Sequence, residues 1–212
     1  MARSKRATLL IVLLLAMVVS SSANALTLQT ISGTVRDADG HPISGAEVFD
    51  QSGTSTYTDG QGHYVLDRDL PTGADVTVLK TGIITQSRYV RTWEPLLGPT
   101  DFTMKYALGY SNFGHRSISK SNGSQTSSLT ITTYAPYDRS QVVVTDSRLA
   151  GEQIATFESL DSATGSSTWT YTISISPETP TGFYTLTIAA RSTNTGAELG
   201  RITSPASYEV RN

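Results

Sequence analysis

Apolar and polar residues alternate along most of this chain in short runs, the period of a half-buried β-strand. In the first half, Ile31, Val35, Val48, Tyr57, Tyr64 and Leu66 recur at spacings that let them share one buried face. The runs break at Gly40, Gly45, Gly53, Gly60 and Gly62, which tolerate φ > 0, and at Asp37, Asp39 and Asp59, which bond their own downstream N–H groups. Pro42 fixes φ just before the chain re-enters a strand. Further strands are predicted over 76–80, 88–92 and 101–105. Residues 107–126, rich in Ser, Gly and Asn, read as a linker with room for one edge strand. From 127 the alternation returns, most strictly where Trp169, Tyr171, Ile173 and Ile175 alternate with Thr and Ser. No helical period occurs in this part of the chain. The expectation is an all-β protein: two antiparallel β-sandwiches in tandem, over 27–106 and 127–212.

The turn residues of the first half also carry a resemblance. Ser32, Gly33, Thr34, Val35, Asp37, Gly40, Pro42, Ile43, Gly45, Ala46 and Val48, then Thr58, Asp59, Gly62 and Tyr64, match a spaced motif. The motif resembles that of the carboxypeptidase regulatory-like domain, a small transthyretin-like β-sandwich. The resemblance implies a fold and no catalytic set. In one turn, Lys80-Thr81-Gly82-Ile83, an aliphatic residue stands where that family commonly has an aromatic one. The hairpin from Pro180 to Ile188 is similar to one in bacterial immunoglobulin-like and macroglobulin-like sandwich domains.

The first 25 residues stand apart. Arg3, Lys5 and Arg6 precede an apolar run over 7–19, and Ala23 and Ala25 occupy the small-residue positions of a signal-peptidase site. The run is short of the roughly 20 residues needed to span a bilayer, so a cleaved signal peptide and a secreted, extracytoplasmic chain are expected. The 212 residues carry a net charge of −2; removing the leader removes three basic residues and no acidic one. A mildly acidic chain without a basic cluster argues against nucleic acid as a partner. The remainder contains no second apolar run of transmembrane length. Cysteine is absent, which excludes disulfides, thiolate metal sites and a lipidated cysteine.

Little catalytic chemistry is expected. His41, His63 and His115 lack metal-ligand spacing, and no Gly-x-Ser-x-Gly elbow occurs. Glu152, Glu158, Asp161 and Glu178 lie in or near turns, as solvated carboxylates do. The turns at 37–40 and 59–62 bring acidic residues together in a way that suits Ca²⁺, although turn formation accounts for the same residues. The expectation is no catalytic, cofactor or metal site. Binding remains, to an envelope protein or a polysaccharide, in a structural or adhesive role at the cell exterior. Carbohydrate binding is the alternative function, with Trp93, Tyr134 and Tyr137 as candidate stacking rings.

Overall fold

The computed structural model describes residues 29–68, 73–111, 113 and 117–212. The expected signal peptide lies outside them, as does His115. The chain is β-sheet throughout, with two short 3-10 turns and no α-helix among the described residues. No helix there is long and apolar enough to cross a membrane.

The first sandwich uses β1 (Gln29–Asp37), β2 (Glu47–Asp50), β3 (Ser55–Tyr57), β4 (His63–Arg68), β5 (Ala74–Leu79), β6 (Gln86–Val90) and β7 (Phe102–Met104). One sheet has the order β4-β1-β7 and the other β3-β2-β5-β6; β7 runs parallel to β1, and the other pairs are antiparallel. Between them Ile31, Val35, Val48, Tyr64, Leu66, Val76 and Met104 are buried, as strand residues of one phase should be. Gly33 has a steric role in this packing. The Thr100 segment lies across it, donating its N–H to Ser32 O at 2.7 Å and accepting the Tyr64 hydroxyl at 2.6 Å. A methyl on Gly33 would overlap the Thr100 carbonyl.

Tyr57 departs from the expected phase. It pairs with Glu47, whose neighbour Val48 points inward, so both Tyr57 and Glu47 face outward, and Tyr57 is 65% exposed. In a three-residue edge strand the alternation is too short to set its own phase, and pairing to β2 sets it instead.

The second sandwich is built from β8 (Leu108–Ser111), β9 (Ser117–Ser119), β10 (Gln125–Thr133), β11 (Ser140–Asp146), β12 (Gln153–Ile154), β13 (Thr156–Asp161), β14 (Ser166–Ile175), β15 (Gly182–Ser192), β16 (Glu198–Arg201) and β17 (Ala206–Arg211). Its sheets run β13-β14-β10-β8 and β12-β11-β15-β17-β9, with β16 also on β15. Leu129, Ile131, Trp169, Tyr171, Ile173, Leu186, Ile188 and Tyr208 fill the space between. The stretch expected as a linker is part of this sandwich. Strand β8 pairs with β10, β9 lies parallel to β17, and Ile118 is buried. Edge strands are held by backbone bonds on one side only, so they tolerate the Ser, Gly and Asn content that marks this stretch as polar.

Candidate functional site

The most elaborate polar constellation lies where the two sandwiches meet, and its centre is the 37–41 turn. Asp37 Oδ1 accepts the backbone N–H of Asp39 at 3.0 Å and of His41 at 2.9 Å, the turn-forming role its sequence position implies. Its Oδ2 does something else. It accepts the Tyr106 hydroxyl at 3.1 Å and the Arg139 guanidinium of the second sandwich at 2.6 Å. The Asp37 side chain is wholly buried. Asp39 reaches across as well, accepting the Ser192 hydroxyl at 2.9 Å and a close bond from the Thr195 hydroxyl. Arg139 completes the set, with Nη1 3.1 Å from His41 Nδ1 and 3.6 Å from Asp39 Oδ2.

The cation facing the acidic turn is therefore Arg139, where the calcium alternative would place a metal ion. Asp59 serves its own turn, accepting N–H groups from Gln61 and His63. Among the described residues no group of three or more His, Asp or Glu side chains converges to hold a metal ion.

Apolar and backbone contacts extend the junction. The first core continues into Ala135, Ala190 and Leu199 of the second sandwich. Tyr106 N–H donates to Leu199 O at 2.8 Å, Ala107 N–H donates to Gly82 O at 2.8 Å, and Lys105 pairs with Glu198 at 3.0 Å. Gly82 has φ +79°, and the Tyr134 ring lies directly on it; a side chain there would be strained and would displace the ring. Burial, with the Asp37 carboxylate beside it, pushes the Tyr106 phenol up to about 12, so it stays a hydrogen-bond donor at neutral pH.

The Asp39 carboxyl is held below the usual carboxylate range, chiefly by the Thr195 hydroxyl, against burial and with help from Ser192, His41 and Arg139. With a depressed folded-state value, the unfolded chain takes up the proton first as pH falls. The stabilisation is complete above the ordinary Asp value of about 4 and disappears as pH drops through the folded value. Thermal midpoints should fall as pH is lowered through about 4, and Asp39→Asn should make that fall shallower. Identical slopes for the two proteins would contradict the assignment.

The three aromatic residues singled out from the sequence occupy three separate places. Tyr134 is half-buried in the junction and lines a cleft of about 380 Å³ with Pro42, Ser44, Lys80, Tyr106 and Thr164. Tyr137 is 46% exposed and stacks on Phe157, with ring centroids 5.5 Å apart; Phe157 in turn meets the buried Trp169 edge-on at 5.3 Å. Trp93 is 50% exposed beside the 3-10 turn Glu94–Leu96, with the Arg91 guanidinium 5.7 Å over its ring. It lines a shallow depression with Arg88, Leu97 and Pro99. Tyr134 and Tyr137 thus form no common platform.

Most of the carboxylates weighed as chemistry have structural partners. Glu152 pairs with Arg191 at about 3.0 Å, and Asp161 bonds within its own turn. The Ser192 hydroxyl donates its hydrogen bond to the Asp39 carboxylate, not to a histidine. Arg139, Ser192 and Thr195 carried no signal in the sequence, because their partners lie about a hundred residues or more away.

Comparison with known proteins agrees with the architecture of the first half. The family model of the carboxypeptidase regulatory-like domain matches residues 30–105. Among solved structures, one from Bacteroides uniformis, described as "a putative carbohydrate binding protein", aligns over 85% of this chain and 98% of its own. Its identity to this chain is 12% and its TM-score 0.29. No curated protein matches the chain. Residues 30–105, with their turn motif and two-sheet core, are thus similar to the carboxypeptidase regulatory-like domain in both sequence and architecture.

Proposed function

We propose that the chain is a non-catalytic interaction protein of the cell exterior, exported by its N-terminal leader. In this reading a carboxypeptidase regulatory-like sandwich and a second sandwich form one stiff unit for structural or adhesive contact. The observation that carries it is the junction. Asp37, Asp39, Tyr106, His41 and Arg139, the densest set of ionisable groups described above, join the two domains by mutual bonds. Groups so committed position the sandwiches and leave the outer sheet faces and loop rings as the surfaces for a partner. Polysaccharide recognition is a second reading, supported by the exposed rings of Trp93 and Tyr137.

The test is co-sedimentation of residues 26–212 with envelope fractions and insoluble polysaccharides, alongside assays with chromogenic ester, peptide and glycoside substrates. Retention without turnover is expected. Turnover abolished by a single carboxylate or histidine substitution would overturn the proposal.

A further inference from the structure

The outer face of sheet β3-β2-β5-β6 is unlike an ordinary solvated sheet face. Val48, Asp50, Ala74, Val76, Val78 and Val90 point into the sandwich and are buried. The alternate residues therefore face out, and the register arranges them in rows. Tyr57, Glu47 and Leu79 form one row; Ser55, Phe49, Thr77 and Ser87 the next; Asp75 and Tyr89 the third. Tyr57, Phe49 and Tyr89 consequently step diagonally across all four strands. With strands about 4.8 Å apart and alternate residues about 6.8 Å apart, the steps are roughly 8 and 12 Å. Tyr57 is 65% and Tyr89 57% exposed, so the second sandwich leaves this face open.

Tyr89 also packs against its own sheet. A methyl on Gly73 would come within 2.5 Å of the Tyr89 hydroxyl oxygen and 2.7 Å of its Cζ, so the phenol end of the ring lies over that glycine's backbone. More than half of the residue stays open to solvent. Between the rings are hydroxyls, with Thr77 and Ser87 bonded to each other at 2.8 Å.

We propose that this face binds a neutral polysaccharide in extended form, its sugar rings stacking on Tyr89, Phe49 and Tyr57 and its hydroxyls bonding Thr77, Ser87 and the two carboxylates. The inference rests on the polysaccharide reading above, names its ligand class and moves its site from the Trp93 and Tyr137 rings to this sheet face. Charge selects the neutral polymer. The strand positions of this face carry Glu47 and Asp75 and no Lys or Arg, so an acidic polysaccharide is repelled, whereas sugar hydroxyls donate to carboxylates. Spacing favours sugar over a protein partner, since the fully buried core of a protein interface is depleted in charged residues and enriched in aromatic ones. Here polar side chains separate the rings, as suits separate sugar rings with polar groups between them.

The test uses residues 26–212 with cellulose, chitin and starch granules, and soluble polygalacturonate as an acidic control. Retention is expected on at least one neutral polymer, weakened about tenfold or more in Tyr57→Ala/Tyr89→Ala. Ser87→Arg, an exposed change between the rings that gives up the hydroxyl bond to Thr77, should block retention while the protein still unfolds cooperatively. Trp93→Ala and Tyr137→Ala should retain binding. Absence of retention on all three neutral polymers, or binding to polygalacturonate alone, would overturn the proposal. Retention unchanged in the double variant but lost with Trp93→Ala or Tyr137→Ala would refute this face and leave the polysaccharide reading standing.

Discussion

Arg68→Met should destabilise the first sandwich by about 3–5 kcal/mol, the range for removing one partner of a buried ion pair. Arg68 ends β4 in phase with Tyr64 and Leu66, and Asp50 ends β2 in phase with Val48, so both point inward. Both side chains are fully buried, with Nε and Oδ2 3.2 Å apart. Asp50 Oδ1 also holds the following turn, accepting N–H groups from Ser52 at 2.9 Å and Thr54 at 3.2 Å. Removing the guanidinium leaves a carboxylate with its turn bonds and no countercharge. The compensating change distinguishes this from a simple packing loss. In Asp50→Asn/Arg68→Met the amide oxygen keeps the turn bonds and both charges are gone, so the double variant should be more stable than Arg68→Met alone. Urea unfolding measures both; a single-variant loss below about 1 kcal/mol, as for an exposed pair, would contradict the account.

The second large effect concerns the junction. Arg139→Met removes the strong bond to Asp37 and the nearby positive charge that Asp39 and His41 share. Asp37 Oδ2 would then keep only the Tyr106 hydroxyl, in a place without exposure. Truncating one member of a buried, hydrogen-bonded charge pair across an interface costs about 2–5 kcal/mol. The loss should fall on the coupling between sandwiches. Neither inner core contains Arg139, so each should fold with its own stability while the joint transition separates into two.

Much of the fold was legible because period 2 is a local property. Trp169, Tyr171, Ile173 and Ile175 read as buried from their spacing, and they are. The turn motif of the first sandwich carries its family resemblance on glycines and aspartates whose roles are local too. Three features were not legible, for different reasons. Strands β8 and β9 are edge strands held by backbone pairing, and their composition resembles a linker. Asp37 has two carboxylate oxygens: one serves the turn, which sequence shows, and the other serves Arg139, which only tertiary structure shows. Tyr57 takes its phase from β2 and not from its own strand. The Asp50–Arg68 pair did leave a signal, since each charged residue stands in phase with buried neighbours on its strand. For the candidate site, individual rings could be named, but the alignment of Phe49, Tyr57 and Tyr89 depends on cross-strand register.

The junction should make the two sandwiches one cooperative unit, and the chain's two tryptophans allow a direct test. Trp93 lies in the first sandwich and Trp169 in the core of the second. Urea unfolding followed by fluorescence in Trp169→Phe reports the first domain, and in Trp93→Phe the second. Coincident midpoints are expected in these single-tryptophan proteins, and separated midpoints once Arg139→Met is added. Separate midpoints with Arg139 intact would contradict it.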